Sequence, residues 1–151
     1  MQNVFDAKDA QEYINRINNL TPETQRKWGK MSVDQVLAHL NVAYDLTFTP
    51  EKFPKPSFIA KFLLSKFVKP KITNEIPYKP SLPTSPAFII ADERNFEEEK
   101  AKLIGNIQRV QQLGREAFEG KENINFGKMT AQCWNNMFAK HLNHHLEQFG
   151  V

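Results

Sequence analysis

Apolar residues recur at helical spacing in four stretches of this 151-residue chain. After Asp6, the positions Ala10, Tyr13, Ile14, Ile17 and Leu20 form one stripe and predict a helix near 7–20. The Asp6 carboxylate suits its free N–H groups. Thr21-Pro22 opens at most a short turn, with proline at the position a helix start tolerates. Ser32-Val33-Asp34-Gln35 reads as a capping box, in which a serine and a glutamine each satisfy a backbone N–H of the first turn. Val36, Leu37, Leu40 and Ala43 follow it and predict a second helix near 32–47. A third is expected near 93–113. It starts after Asp92, carries Glu93, Glu97, Glu98 and Glu99 toward its positive end, and stops at Gly114. Phe96, Leu103, Ile107 and Val110 are its inward stripe. The fourth, near 131–148, follows Thr130 and ends at about Gln148. Strand signals are weak, with only 87–91 leaning toward extended backbone.

The segment from 48 to 86 breaks this pattern. It holds eight of the nine prolines, so no long helix can cross it. Within it, SFIAKFLLSKFV (57–68) can form a short basic amphipathic helix. Such a helix suits either a membrane surface or a lid packed across the other helices, and the lid is favoured because connections this long often carry packed local structure. The expectation is therefore an all-α, single-domain protein over 1–151. Its form is a four-helix bundle with a long Pro-rich crossover between helices two and three.

Twelve phenylalanines within a 40% apolar composition supply a real core, and no apolar run is long enough to span a membrane. The opening MQNVFDAKDAQEY turns polar at once and lacks the apolar run of a secretory signal. A single cysteine excludes an intrachain disulfide, so the cytoplasm is the expected compartment. Net charge is only +3, although Lys52, Lys55, Lys61, Lys66, Lys69, Lys71 and Lys79 crowd one stretch. Few arginines and no recognition motif argue against nucleic acid. Cys133 falls in the first turn of the fourth helix, about 100° from its core line, and reads as a small packed residue rather than a nucleophile.

Chemistry enters with the histidines. Three of the four stand in His141-Leu142-Asn143-His144-His145. At about 100° per residue, Trp134, Phe138, His141, His145 and Gln148 share the core face of the fourth helix, and His144 turns to its flank. His39 takes an inward position on the second helix, in phase with Val36 and Ala43. Facing helices build metal sites from such inward side chains. Three neutral imidazoles suit a divalent transition metal, zinc or nickel first, and leave positions open for water or substrate. Gln35 and Gln148, near His39 and His145 along their helices, are the expected orienting partners. No obvious general base accompanies them: Glu147 points about 160° away from His145. No catalytic residue is therefore assigned.

Taken together these features resemble the DinB/YfiT-like superfamily of metalloenzymes. The Trp28-to-Leu40 stretch, a Trp and a cap followed by Ala38-His39-Leu40, is similar to its second-helix motif. Phe126 to Thr130, Trp134 and the ending HLNHHLEQFG resemble one uncharacterised branch. The resemblance implies a four-helix bundle with His39, His141 and His145 as ligands. The superfamily's better-understood members include thiol-dependent transferases and isomerases, so the resemblance also implies an enzyme acting on a small molecule with a low-molecular-weight thiol, and pairing of bundles into a homodimer. A metal with open positions suits a transferase or a hydrolase. A non-catalytic metal- or ligand-binding module is the alternative. Neither reading calls for stable membrane insertion.

Overall fold

A computed structural model describes residues 1–80, 82 and 84–151 as a mostly helical protein. Its four longest helices are α1 (Ala7–Asn18), α2 (Val33–Phe48), α5 (Phe96–Leu113) and α6 (Ala131–Gln148). Two short helices, α3 (Phe58–Leu63) and α4 (Lys69–Thr73), lie in the Pro-rich segment. α2 packs along α5 and against α6, and α1 packs against α5 and α6. Tyr13, Ile17, Leu37, Leu40, Leu103, Ile107, Trp134, Phe138, Leu142 and Leu146 meet in one core. Tyr44 stacks on Phe138 with ring centroids 4.7 Å apart, and Phe118 meets Trp134 edge-on at 5.6 Å.

The helix starts follow their caps. Asp6 accepts from Lys8 N–H and Asp9 N–H, and Thr130 accepts from Cys133 N–H at 3.2 Å. The Gln35 carboxamide oxygen accepts Ser32 N–H at 3.0 Å, which fixes the entry to α2. The third long helix differs from the expectation. It begins at Phe96, with Asn95 rather than Asp92 as its cap, and Asn95 accepts Glu98 N–H at 3.1 Å. Asp92 is spent elsewhere, since its carboxylate takes Arg94 at 3.0 Å and its carbonyl takes Gln35. Gly114, at φ +71°, ends the helix as expected.

Two further differences concern backbone without a strong period. Residues 87–91 form no strand; Pro86–Phe88 is a turn of 3₁₀ helix. The described sheet is a small hairpin, β1 (Glu122–Asn123) antiparallel to β2 (Gly127–Lys128), held at its bend by Asn123 accepting Asn125 N–H and Phe126 N–H. The 57–68 run does become helical, but in two pieces, α3 and a π-helical turn (Leu64–Val68), with α4 following directly beyond it. Its inward side is tied down. Lys61 pairs with Glu122, Lys69 Nζ donates to the Lys128 carbonyl, and buried Lys140 on α6 donates to the Lys71 carbonyl and to Asn74. No helix among the described residues is long and apolar enough to cross a membrane.

Candidate metal centre

Helix phase on α6 places His141 and His145 one turn apart, and the packing of α2 on α6 brings His39 to them. The three rings form a compact triangle. Centroids are 4.9 Å apart for His39–His141, 4.6 Å for His39–His145 and 5.0 Å for His141–His145. One nitrogen from each lies within 4.8 Å of the others, an arrangement that could hold a metal ion.

The outer hydrogen bonds set which nitrogens face inward. His39 Nδ1 sits 2.7 Å from the Phe88 carbonyl, which only accepts, so Nδ1 carries the proton and Nε2 presents its lone pair. For His145 the argument runs through an amide. Gln148 Nε2 donates to the Trp28 carbonyl at 2.7 Å, so its Oε1 faces His145 Nδ1 at 2.8 Å and must accept there. His145 Nε2 is left bare. Fixing the far nitrogen of a ligating imidazole in this way is the usual support of a metal site. His39 Nε2 and His141 Nε2 stand 2.9 Å apart, a contact that holds one hydrogen where a cation would otherwise sit. Ligand nitrogens around one zinc ion stand about 3 to 3.5 Å apart. The observed spread of 2.9 to 4.8 Å brackets that figure, so the donor set fits a transition metal.

Burial keeps these rings neutral, as ligation requires. It lowers the pKa of His39, and lowers that of His141 well below the ordinary 6.5, with the neighbouring histidines adding to the effect. For His145 burial, then His39, bring the value down to about 3, against a smaller upward pull from Gln148. In the unfolded chain each ring would accept a proton near 6.5, so acid favours unfolding. With metal removed by chelator, stability should be full above pH 6.5. It should decline as pH falls through the window from 6.5 to about 3. Urea unfolding midpoints at pH 7.5 and 5 check this; equal midpoints would contradict it.

The ring triangle borders a pocket of about 340 Å³, whose lining includes Trp28, Met31, Phe88, Ile90, His144, His145 and Gln148. Such an apolar wall with a few convergent polar groups is the usual form of a small-molecule site. His144 stands outside the triangle, its ring against Trp28 at 5.9 Å and Tyr78 at 5.6 Å. Glu147 is exposed, and Cys133 packs against the core away from the histidines. Of the two glutamines expected beside the rings, Gln148 is there. Gln35 is not, because both ends of its amide serve Ser32 and the Asp92 carbonyl. Phe88 takes the place Gln35 was expected to fill, and Trp28 supports Gln148. Both are backbone acceptors brought from remote segments, which residue spacing does not reveal.

Gly29 completes this support. Its φ is +84°, and a Cβ there would stand 2.5 Å from Gln148 Nε2, a side chain held at both ends. Gly29→Ala should therefore cost about 1–2 kcal/mol of stability. It should also weaken metal binding on the order of tenfold, since His145 loses its orienting partner. A metal titration alongside a thermal melt checks both effects. Unchanged affinity would detach Gln148 from the site.

Fold and site together define a mostly helical protein with a three-histidine cluster able to hold a metal ion. The chain belongs to the family described as Protein of unknown function (DUF1569), matched over residues 2–150. No curated protein and no solved structure matches it.

Proposed function

We propose that His39, His141 and His145 are ligands to one divalent transition metal, zinc or nickel first. On this reading the protein is a metal-dependent enzyme acting on a small molecule bound against Trp28, Met31 and Phe88. The four long helices are read as a bundle of the DinB/YfiT type with the Pro-rich segment as its crossover. The observation that carries the proposal is the pair of outer hydrogen bonds, His39 to the Phe88 carbonyl and His145 to Gln148, which turn bare nitrogens toward one point. A cation held by three neutral imidazoles keeps its positive charge, and so can acidify a water or thiol and polarise a carbonyl. Thiol transfer and hydrolysis are the reaction types this suits, with a low-molecular-weight thiol as co-substrate in the first. The chain's own residues bind and orient: Trp28, Met31 and Phe88 offer an apolar wall, and Gln148 holds His145 in one tautomer.

The exposure of Glu147 favours the second reading, a binding module, because among the described residues no carboxylate joins the cluster as a general base. The test is metal content of protein purified without a nickel column, followed by turnover against thiol-acceptor, ester and amide panels with and without chelator. About one metal per chain and chelator-sensitive turnover are expected. Metal without turnover, together with tight binding of one small molecule, would replace the enzyme with the module. Absence of metal after supplementation would overturn both.

A further inference from the structure

We propose that the face formed by α3 and the following π turn is a docking surface for an anionic lipid membrane, lying in the plane of the interface. The proposal is independent of the metal reading. Phe58, Ile59, Phe62, Leu63, Phe67 and Val68 are 86, 70, 56, 47, 60 and 37% exposed, although the segment carrying them is fixed to the body. Lys61 to Glu122, Lys69 to the Lys128 carbonyl and Lys140 to the Lys71 carbonyl hold its inner side. The apolar face is thus held outward by hydrogen bonds rather than left out by disorder.

Its register is also built. Phe58 and Phe62, like Ile59 and Leu63, are one α-turn apart and share a face. Continued as α-helix, Phe67 would stay one turn from Leu63 but turn away from Phe62, and Val68 would turn away from both. Instead Lys69 N–H donates to the Leu64 carbonyl five residues back, and the wider turn returns Phe67 and Val68 toward the same side. Pro70 supplies a local reason, because a proline cannot serve the carbonyl four residues before it in a regular helix. One continuous stripe of six large apolar side chains results.

Charge selects the partner. From 52 to 74 the chain has six lysines and no carboxylate. Lys52, Lys55, Lys66 and Lys71 are exposed, and none makes an ion pair among the described residues. An apolar stripe set among lysines matches an anionic lipid surface, where rings enter the acyl boundary and ammonium groups stay at the phosphates. A second copy of this chain would bring the same six lysines against one another. The surface lies on the bilayer rather than spanning it, since no described helix is long and apolar enough to cross.

The test uses the full chain, co-sedimented with vesicles of phosphatidylcholine alone and with three-to-one phosphatidylcholine–phosphatidylserine. Binding to the anionic vesicles, weak binding to the neutral ones, and release by high salt are expected. The double variant Phe62→Asp, Phe67→Asp should lower partitioning by roughly tenfold or more, and Lys52→Glu, Lys66→Glu should act similarly on anionic vesicles alone. Circular dichroism should report an unchanged fold for both; if the Phe pair fails to fold, Phe58→Asp, at the most exposed position, takes its place. No partitioning into either vesicle overturns the proposal, and so does partitioning that the aspartates leave intact. A dimer in sedimentation velocity that the same aspartates dissociate would also overturn it, making a second copy the occupant.

Discussion

Replacing His39 by alanine is expected to weaken zinc or cobalt binding by on the order of a hundredfold or more while the helices stay formed. Loss of a partner outside the ligand set already costs roughly 10–100-fold in metal sites, and removal of a ligand exceeds that. The remaining pair, His141 and His145, lies on one helix and grips from one side only. Stability should fall modestly, by about 1–2 kcal/mol, because the bond from Nδ1 to the Phe88 carbonyl goes with the ring. Cobalt absorption titrations against circular dichroism separate the two effects. Wild-type affinity in the variant would remove His39 from the site.

Trp134→Ala should produce the largest loss of stability, about 3–5 kcal/mol. The indole is fully buried, with Phe118 at 5.6 Å and Phe138 at 5.7 Å, and Nε1–H donates to the Lys121 carbonyl beside the hairpin. Truncation opens a cavity and removes one of two donors to that carbonyl, which keeps Met129 N–H at 3.1 Å. A domain typically has only about 5–15 kcal/mol in total, so the variant should sit near the edge of folding. Urea denaturation followed by circular dichroism measures it. A shift under about 1 kcal/mol would mean that neighbouring rings close over the gap.

Much of this was legible in the sequence because α-helical phase is a strong constraint. The inward stripes of α2 and α6 were enough to put His39, His141 and His145 on core faces and His144 on a flank. The start of α6 followed from Thr130 and the end of α5 from Gly114. Where two caps competed, spacing did not choose. Asp92 and Asn95 both suit a helix start, and the tertiary bonds of Asp92 to Arg94 and Gln35 decide for Asn95. Gln35 held its own warning, since a glutamine that closes a capping box has already committed its oxygen. The hairpin was missed because strands of two residues have no period to read, although Asn123 and Gly127 are turn residues. An amphipathic run such as 57–68 states that one face is apolar, not whether that face turns to the core or to solvent.

The three-histidine cluster has a consequence for folding order. His39 and His141 are 102 residues apart in the chain, so the triangle closes only after α2 and α6 have found each other. A pair on α6 can exist early; the third corner cannot. Bound metal would then act as a cross-link across most of the polypeptide, closing a long loop whose entropy it removes from the unfolded state. Metal added late in refolding should slow unfolding more than it speeds collapse, because this non-local contact forms among the last.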